Sequence, residues 1–177
     1  MSAVIMILAI GLGLAVEQFM PAPVFIGFAR PPILALVVAY FALTHSVPMM
    51  LLAALLGGIM SDGIGSLPLG ITTLAFAAVG AILHHYRDTV FSGKLVTNIF
   101  LGAAIGMSTP VIVLALLLFL GRTPYSFQPG LLLLKIIGMM IYGAVFFPVT
   151  YALLKRLELI TGACRLDSFS DDTHSNN

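Results

Sequence analysis

The chain has 177 residues, 60% of them hydrophobic and 8% charged, with a mean hydropathy of +1.11. A soluble globular domain carries about 25% charged residues, so this composition excludes that class and points to a single polytopic helical membrane domain. A net charge of +1 gives no reason to expect nucleic acid, and a single cysteine excludes an internal disulfide or a cysteine-built metal centre.

Six apolar segments can be drawn, over residues 3–20, 32–44, 47–61, 68–84, 95–120 and 131–154. The expected fold is all-α, a bundle of about six membrane segments, with residues 1–157 as one domain and 158–177 as a disordered cytoplasmic tail. The first segment has no basic leader and no small-residue cleavage site, so it reads as a retained span. It and the fourth, fifth and sixth segments are long enough to cross ~30 Å of hydrocarbon, whereas the second and third give only about 20 Å each. Those two are either short spans in a thinned bilayer or a re-entrant pair shielded by other helices.

Basic residues set the orientation. With a cytoplasmic N-terminus, Arg87, Lys94, Lys155, Arg156 and Arg165 fall inside, while Arg30, Arg122 and Lys135 fall outside. That excess fits the positive-inside rule and puts the connection after the third segment on the outer face.

That connection, within residues 57–70, is the most informative stretch: a glycine-rich turn between apolar runs with Asp62 at its centre. A carboxylate at the middle of a membrane helix costs roughly 2.5–3.5 kcal/mol on insertion scales, so it persists only where something satisfies it. Gly57, Gly58, Gly65 and Gly70 let backbone approach closely, and Pro68 after Ser66 can open a new helix. Asp62 therefore either pins the hairpin, accepting backbone N–H bonds in the Gly63-Ile64-Gly65 turn, or binds an ion or substrate. Its place at a turn favours the structural role.

The remaining polar groups have plainer readings. Glu17, in the last turn of the first segment, can reach water at the outer interface, and Lys135 is its mirror at the outer end of the last segment. Nothing in the sequence brings the two together. His84, His85 and Asp88 have a spacing that suits a metal, but no second cluster completes a site, so they read as an interfacial helix end. Ser61-Asp62-Gly63 lacks the further aspartates of a metal-dependent head-group transferase, and no HExxH is present. The chain is expected to be non-catalytic, with no cofactor and no metal.

Small residues predict close helix packing. Gly102 and Gly106 form a GxxxG in the fifth segment, and Ala53 and Gly57 stand four apart in the third. Ser108-Thr109-Pro110 predicts a kink whose freed carbonyls the hydroxyls can satisfy, and Pro148 predicts another.

Taken in order, these residues resemble the MreD family of rod shape-determining membrane proteins. The resemblance begins at Phe28-Ala29-Arg30-Pro31-Pro32 and continues through Val38-Ala39-Tyr40-Phe41-Ala42-Leu43. It is strongest at Gly57-Gly58-Ile59-Met60-Ser61-Asp62, Gly65-Ser66 and Leu69-Gly70, and Lys155-Arg156 fits after the last span. One departure is the Thr44-His45-Ser46 loop, where many relatives carry arginine or lysine. The resemblance implies a bundle similar to the substrate-binding subunits of energy-coupling-factor transporters. It also implies a scaffolding activity, with MreC as partner and, through it, the MreB filament, RodA and a class B transpeptidase. Arg30 and Pro31, with the hairpin residues, become candidates for partner contact.

Two functions stay open. One is a scaffold in the cytoplasmic membrane that binds MreC and supports peptidoglycan synthesis and cell shape. The other is a vitamin-like small-molecule binding subunit of a transporter. A binding subunit needs convergent polar groups, and the spans offer few (Thr72, Thr73, Asn98, Ser108, Thr109), which favours the scaffold. A homodimer, the helix face that meets a partner, and any role for Cys164 also stay open.

Overall fold

A computed structural model describes residues 2–20, 30–64, 68–87, 95–121 and 129–161. Among them are six α-helices and no strands: α1 (Ser2–Phe19), α2 (Ile33–Thr44), α3 (Val47–Ile64), α4 (Ile71–His85), α5 (Leu95–Phe119) and α6 (Pro129–Thr161). The helices are apolar almost all round, as expected where one side meets lipid and the other meets protein. Which side is buried is therefore set by packing alone.

The centre of the bundle is α2. Every side chain from Ile33 to Leu43 is buried, and the helix touches all five others. At twelve residues it rises only about 18 Å, too short to cross the hydrocarbon core unaided. Of the two expectations for this segment, its burial agrees with shielding by other helices. The third segment differs from expectation. It runs on to Ile64 as an 18-residue helix, long and apolar enough to cross a membrane, as are Val96–Phe119 and Gly130–Ile160. The turn read at Ser61-Asp62-Gly63 is instead the last turn of α3. Helix α4 is correspondingly shorter at fifteen residues, since Pro68, Leu69 and Gly70 form a turn before it. At the other end of the chain α6 continues to Thr161, past the 157/158 boundary drawn from the sequence.

The most extensive helix pair is α5 with α6, followed by α3 with α4. At the first contact Gly102 and Gly143 face each other so closely that a Cβ on either would overlap the other's carbonyl oxygen, and a Cβ on Gly106 would overlap that of Met139. With lipid supplying no hydrophobic drive between helices, backbone approach of this kind is what packing can use. Pro110 and Pro148 both lie inside helices. The hydroxyls of Ser108 and Thr109 donate to the Ile105 carbonyl, at 3.2 and 2.8 Å. That is one residue before the carbonyl that Pro110 frees, which differs from the expected pairing.

Candidate functional site

Helix direction alternates, so the bundle has two ends with different chemistry. One end gathers the C-termini of α1, α3 and α5 with the N-termini of α2, α4 and α6. Here the Asp62 carboxylate is buried, and its oxygens accept the Gly70 N–H at 2.7 Å and the Thr72 N–H at 3.2 Å. These are the N-cap and N2 positions of α4, two of the four N–H groups that an α-helix start leaves unpaired. A carboxylate there also faces the positive end of the helix dipole. These two bonds thus reach across to the next helix; Gly65, at the end of the turn expected to hold the carboxylate, lies outside the described residues. Gly70 adopts φ +99°, a conformation that favours glycine, and turns the chain so that both N–H groups converge on Asp62.

Glu17 repeats the device. It stands two residues before the end of α1, as Asp62 stands two before the end of α3. Its Oε2 accepts the N–H of Leu34, the N2 position of α2, at 3.4 Å. Each pair, α1–α2 and α3–α4, is therefore tied by an acid in the last turn of one helix capping the start of the next. The expectation that Glu17 merely reaches water misses this bond.

The other predicted residues fall into place around this end. A Cβ on Gly58 would overlap the backbone of Thr73 in α4, whereas one on Gly57 would make ordinary contact with Val38 and Phe76. Pro31 is buried, and Arg30 is exposed with Nη1 donating to Gln18 Oε1 at 3.5 Å. Pro68 precedes the α4 start by a turn instead of opening the helix, its carbonyl accepting the Ile71 N–H at 3.4 Å. Gly65, Ser66, Phe28, Ala29, Asp88 and Cys164 lie outside the described residues.

At the opposite end the structure assembles a group that the sequence did not single out. Glu158, in the last turn of α6, is buried and accepts the Tyr40 hydroxyl at 2.7 Å, with His45 Nε2 3.4 Å from its other oxygen. His84 Nδ1 lies 3.0 Å from the Ala42 carbonyl, one of those left unpaired at the α2 C-terminus, and the His45 N–H donates to the Phe41 carbonyl at 3.0 Å. One signal was available: Phe147, Leu154 and Glu158 are spaced by seven and four, one helical stripe, and all three are buried. No group of three or more potential metal ligands occurs among the described residues.

Two concavities complete the geometry. A groove of about 610 Å³ runs between α1 and α6 over α2, lined by apolar side chains such as Leu8, Leu12, Val37, Val149 and Leu153. A second cavity, of about 490 Å³, opens at the Asp62 end and brings Glu17 and Lys135, which the sequence left apart, onto one wall system.

A buried short helix ringed by five apolar ones, with charged side chains gathered toward the two ends, defines a helical membrane protein. The chain belongs to the MreD family: the family's sequence model, rod shape-determining protein MreD, matches residues 1–157. Its role is thus in rod shape determination. No curated protein matches the chain. No solved structure matches it either, so the likeness to transporter binding subunits rests on the sequence resemblance alone.

Proposed function

We propose that this protein is a non-catalytic, multi-pass scaffold of the bacterial inner membrane. It binds the single span of MreC and through it supports peptidoglycan synthesis by machinery containing MreB, RodA and a class B transpeptidase. The end that carries Arg87, Lys155 and Arg156 faces the cytoplasm, as the positive-inside rule requires.

The observation that carries the reading is the groove between α1 and α6. Those two helices touch little, and the space between them is floored by α2. Along α1 its lining runs from Val4 to Val16, about 18 Å or three helical turns, which suits one face of a guest helix. Val4, Leu8 and Leu12 on one wall and Val149 and Leu153 on the other are exposed and apolar, so a guest gains dispersion contacts without displacing water. Gly102 and Gly106, by contrast, already face the backbone of α6, so the GxxxG is a poor candidate for the partner surface.

Leu8→Trp and Val149→Trp fill the groove from opposite walls, each at a residue about 60% exposed. Both should lower co-purification with MreC by about tenfold, the equivalent of 1.4 kcal/mol, while the thermal stability of the protein stays at the wild-type value. Ile137→Trp, on the exposed face of α6 away from the groove, should leave the complex intact. Full yield of the complex from both groove variants would rule the groove out as the MreC site.

A further inference from the structure

We propose that the cavity at the Asp62 end binds an amphiphile with an anionic head group, held at Lys135 and Arg30 with its apolar part along α5 and α6. Two features of the cavity carry this. Its charged groups and its deepest apolar groups are segregated by depth, and its carboxylates are engaged by backbone N–H groups while Lys135 is not paired among the described residues.

The segregation follows from where the lining residues stand. Glu17, Gln18 and Arg30 come from the end of α1 and the approach to α2, close to the bundle surface, and Lys135 from the second turn of α6. The deepest apolar walls are supplied by Pro110, Ile136 and Met139, whereas Leu117 and Leu132 stand nearer the bundle end than Lys135. Thr109 marks the depth, ten residues before the end of α5 and so about 15 Å below it. A strongly hydrated solute would have to lose water against those walls with few polar partners in return. A molecule with a charged head and an apolar chain loses water only where it finds cations. At 490 Å³ the cavity takes a head group and the first part of one chain, within the usual range for ligand pockets.

The charge count gives the sign. Glu17 is engaged by the Leu34 N–H, and Arg30 has only the neutral Gln18 amide within bonding distance. Lys135 has no ion-pair partner among the described residues. Glu17 and the buried Asp62 behind Thr72 are each engaged by N–H groups at a helix start, whereas Lys135 is not paired. Among the described residues the mouth therefore presents cations to an incoming anion, and a low-dielectric surround strengthens their pull. This site is independent of the MreC reading, because it lies on a different set of residues from the groove between α1 and α6.

The test is thermal unfolding of the purified full chain in a neutral detergent, with no partner present. Phosphatidylglycerol, phosphatidylcholine and inorganic phosphate are added separately. Phosphatidylglycerol at a hundredfold excess over its Kd should raise the Tm by about 5–10 °C, and phosphatidylcholine by less than half of that. Lys135→Gln should weaken the phosphatidylglycerol response about tenfold in concentration, while Lys155→Gln, exposed at the opposite end, should leave it unchanged. Equal responses to the two lipids would overturn the proposal, as would equal losses from the two lysine variants, which would mean general adsorption. If inorganic phosphate alone matched phosphatidylglycerol, the site would be a small-anion site and the amphiphile would be wrong.

Discussion

Replacing Asp62 tests the tie between α3 and α4 most directly. In Asp62→Leu the side chain is similar in reach but accepts nothing, so the Gly70 and Thr72 N–H groups lose their partner. The Thr72 bond is buried, and no water can replace the carboxylate there without space being made. Leaving a buried donor unpaired costs ~1–3 kcal/mol, and losing a helix cap typically costs ~1 kcal/mol, so we expect a loss of about 2–4 kcal/mol. For a chain of this size each kcal/mol moves Tm by about 2–4 °C, which predicts a fall of roughly 5–15 °C in detergent. Asp62→Asn retains one carbonyl acceptor and should fall by less than half as much. The readout is the unfolding temperature of each variant beside the wild type, followed by complementation of rod shape. An Asp62→Leu protein that melts with the wild type would refute the capping argument. If it also failed to support rod shape, Asp62 would be a contact for a partner or ligand instead.

The helix contacts and the opposite end give three further predictions. Gly102→Leu puts bulk against the Gly143 backbone and should abolish the folded, monodisperse protein on size exclusion. Gly11→Ala, where a Cβ meets nothing within 4 Å, should be stable or gain ~0.4–1 kcal/mol from reduced freedom of the unfolded chain. A well-folded Gly102→Leu protein would mean that α5 and α6 do not approach as described. Tyr40→Phe removes the 2.7 Å bond to Glu158 and should cost ~1–3 kcal/mol, seen as a lower Tm, and an unchanged Tm would show that this bond adds nothing to stability.

Much of this protein is legible in its composition and spacing. Membrane location, an all-helical fold and six segments follow from apolar runs separated by turn residues, because a bilayer leaves the backbone few alternatives to helix. The weight placed on Asp62 follows too, since a carboxylate in such a chain must find a partner. What could not be read is which partner. Asp62 meets N–H groups eight and ten residues ahead, and Glu17 meets one seventeen ahead, distances that a loop of any conformation can span. The end of α3 differs from the sequence expectation because Ser61-Asp62-Gly63 has turn composition, and only the contact in which Asp62 caps the start of α4 distinguishes a last helical turn from a loop there. Glu158 follows the Lys155-Arg156 pair in the sequence, and its burial depends on Tyr40 and His45, which come from a distant part of the chain. Helices apolar on every side carry no record of which face meets protein. Tertiary packing alone therefore decided that α2 lies at the centre, that the GxxxG faces α6, and that a groove and a charged cavity are left open between helices.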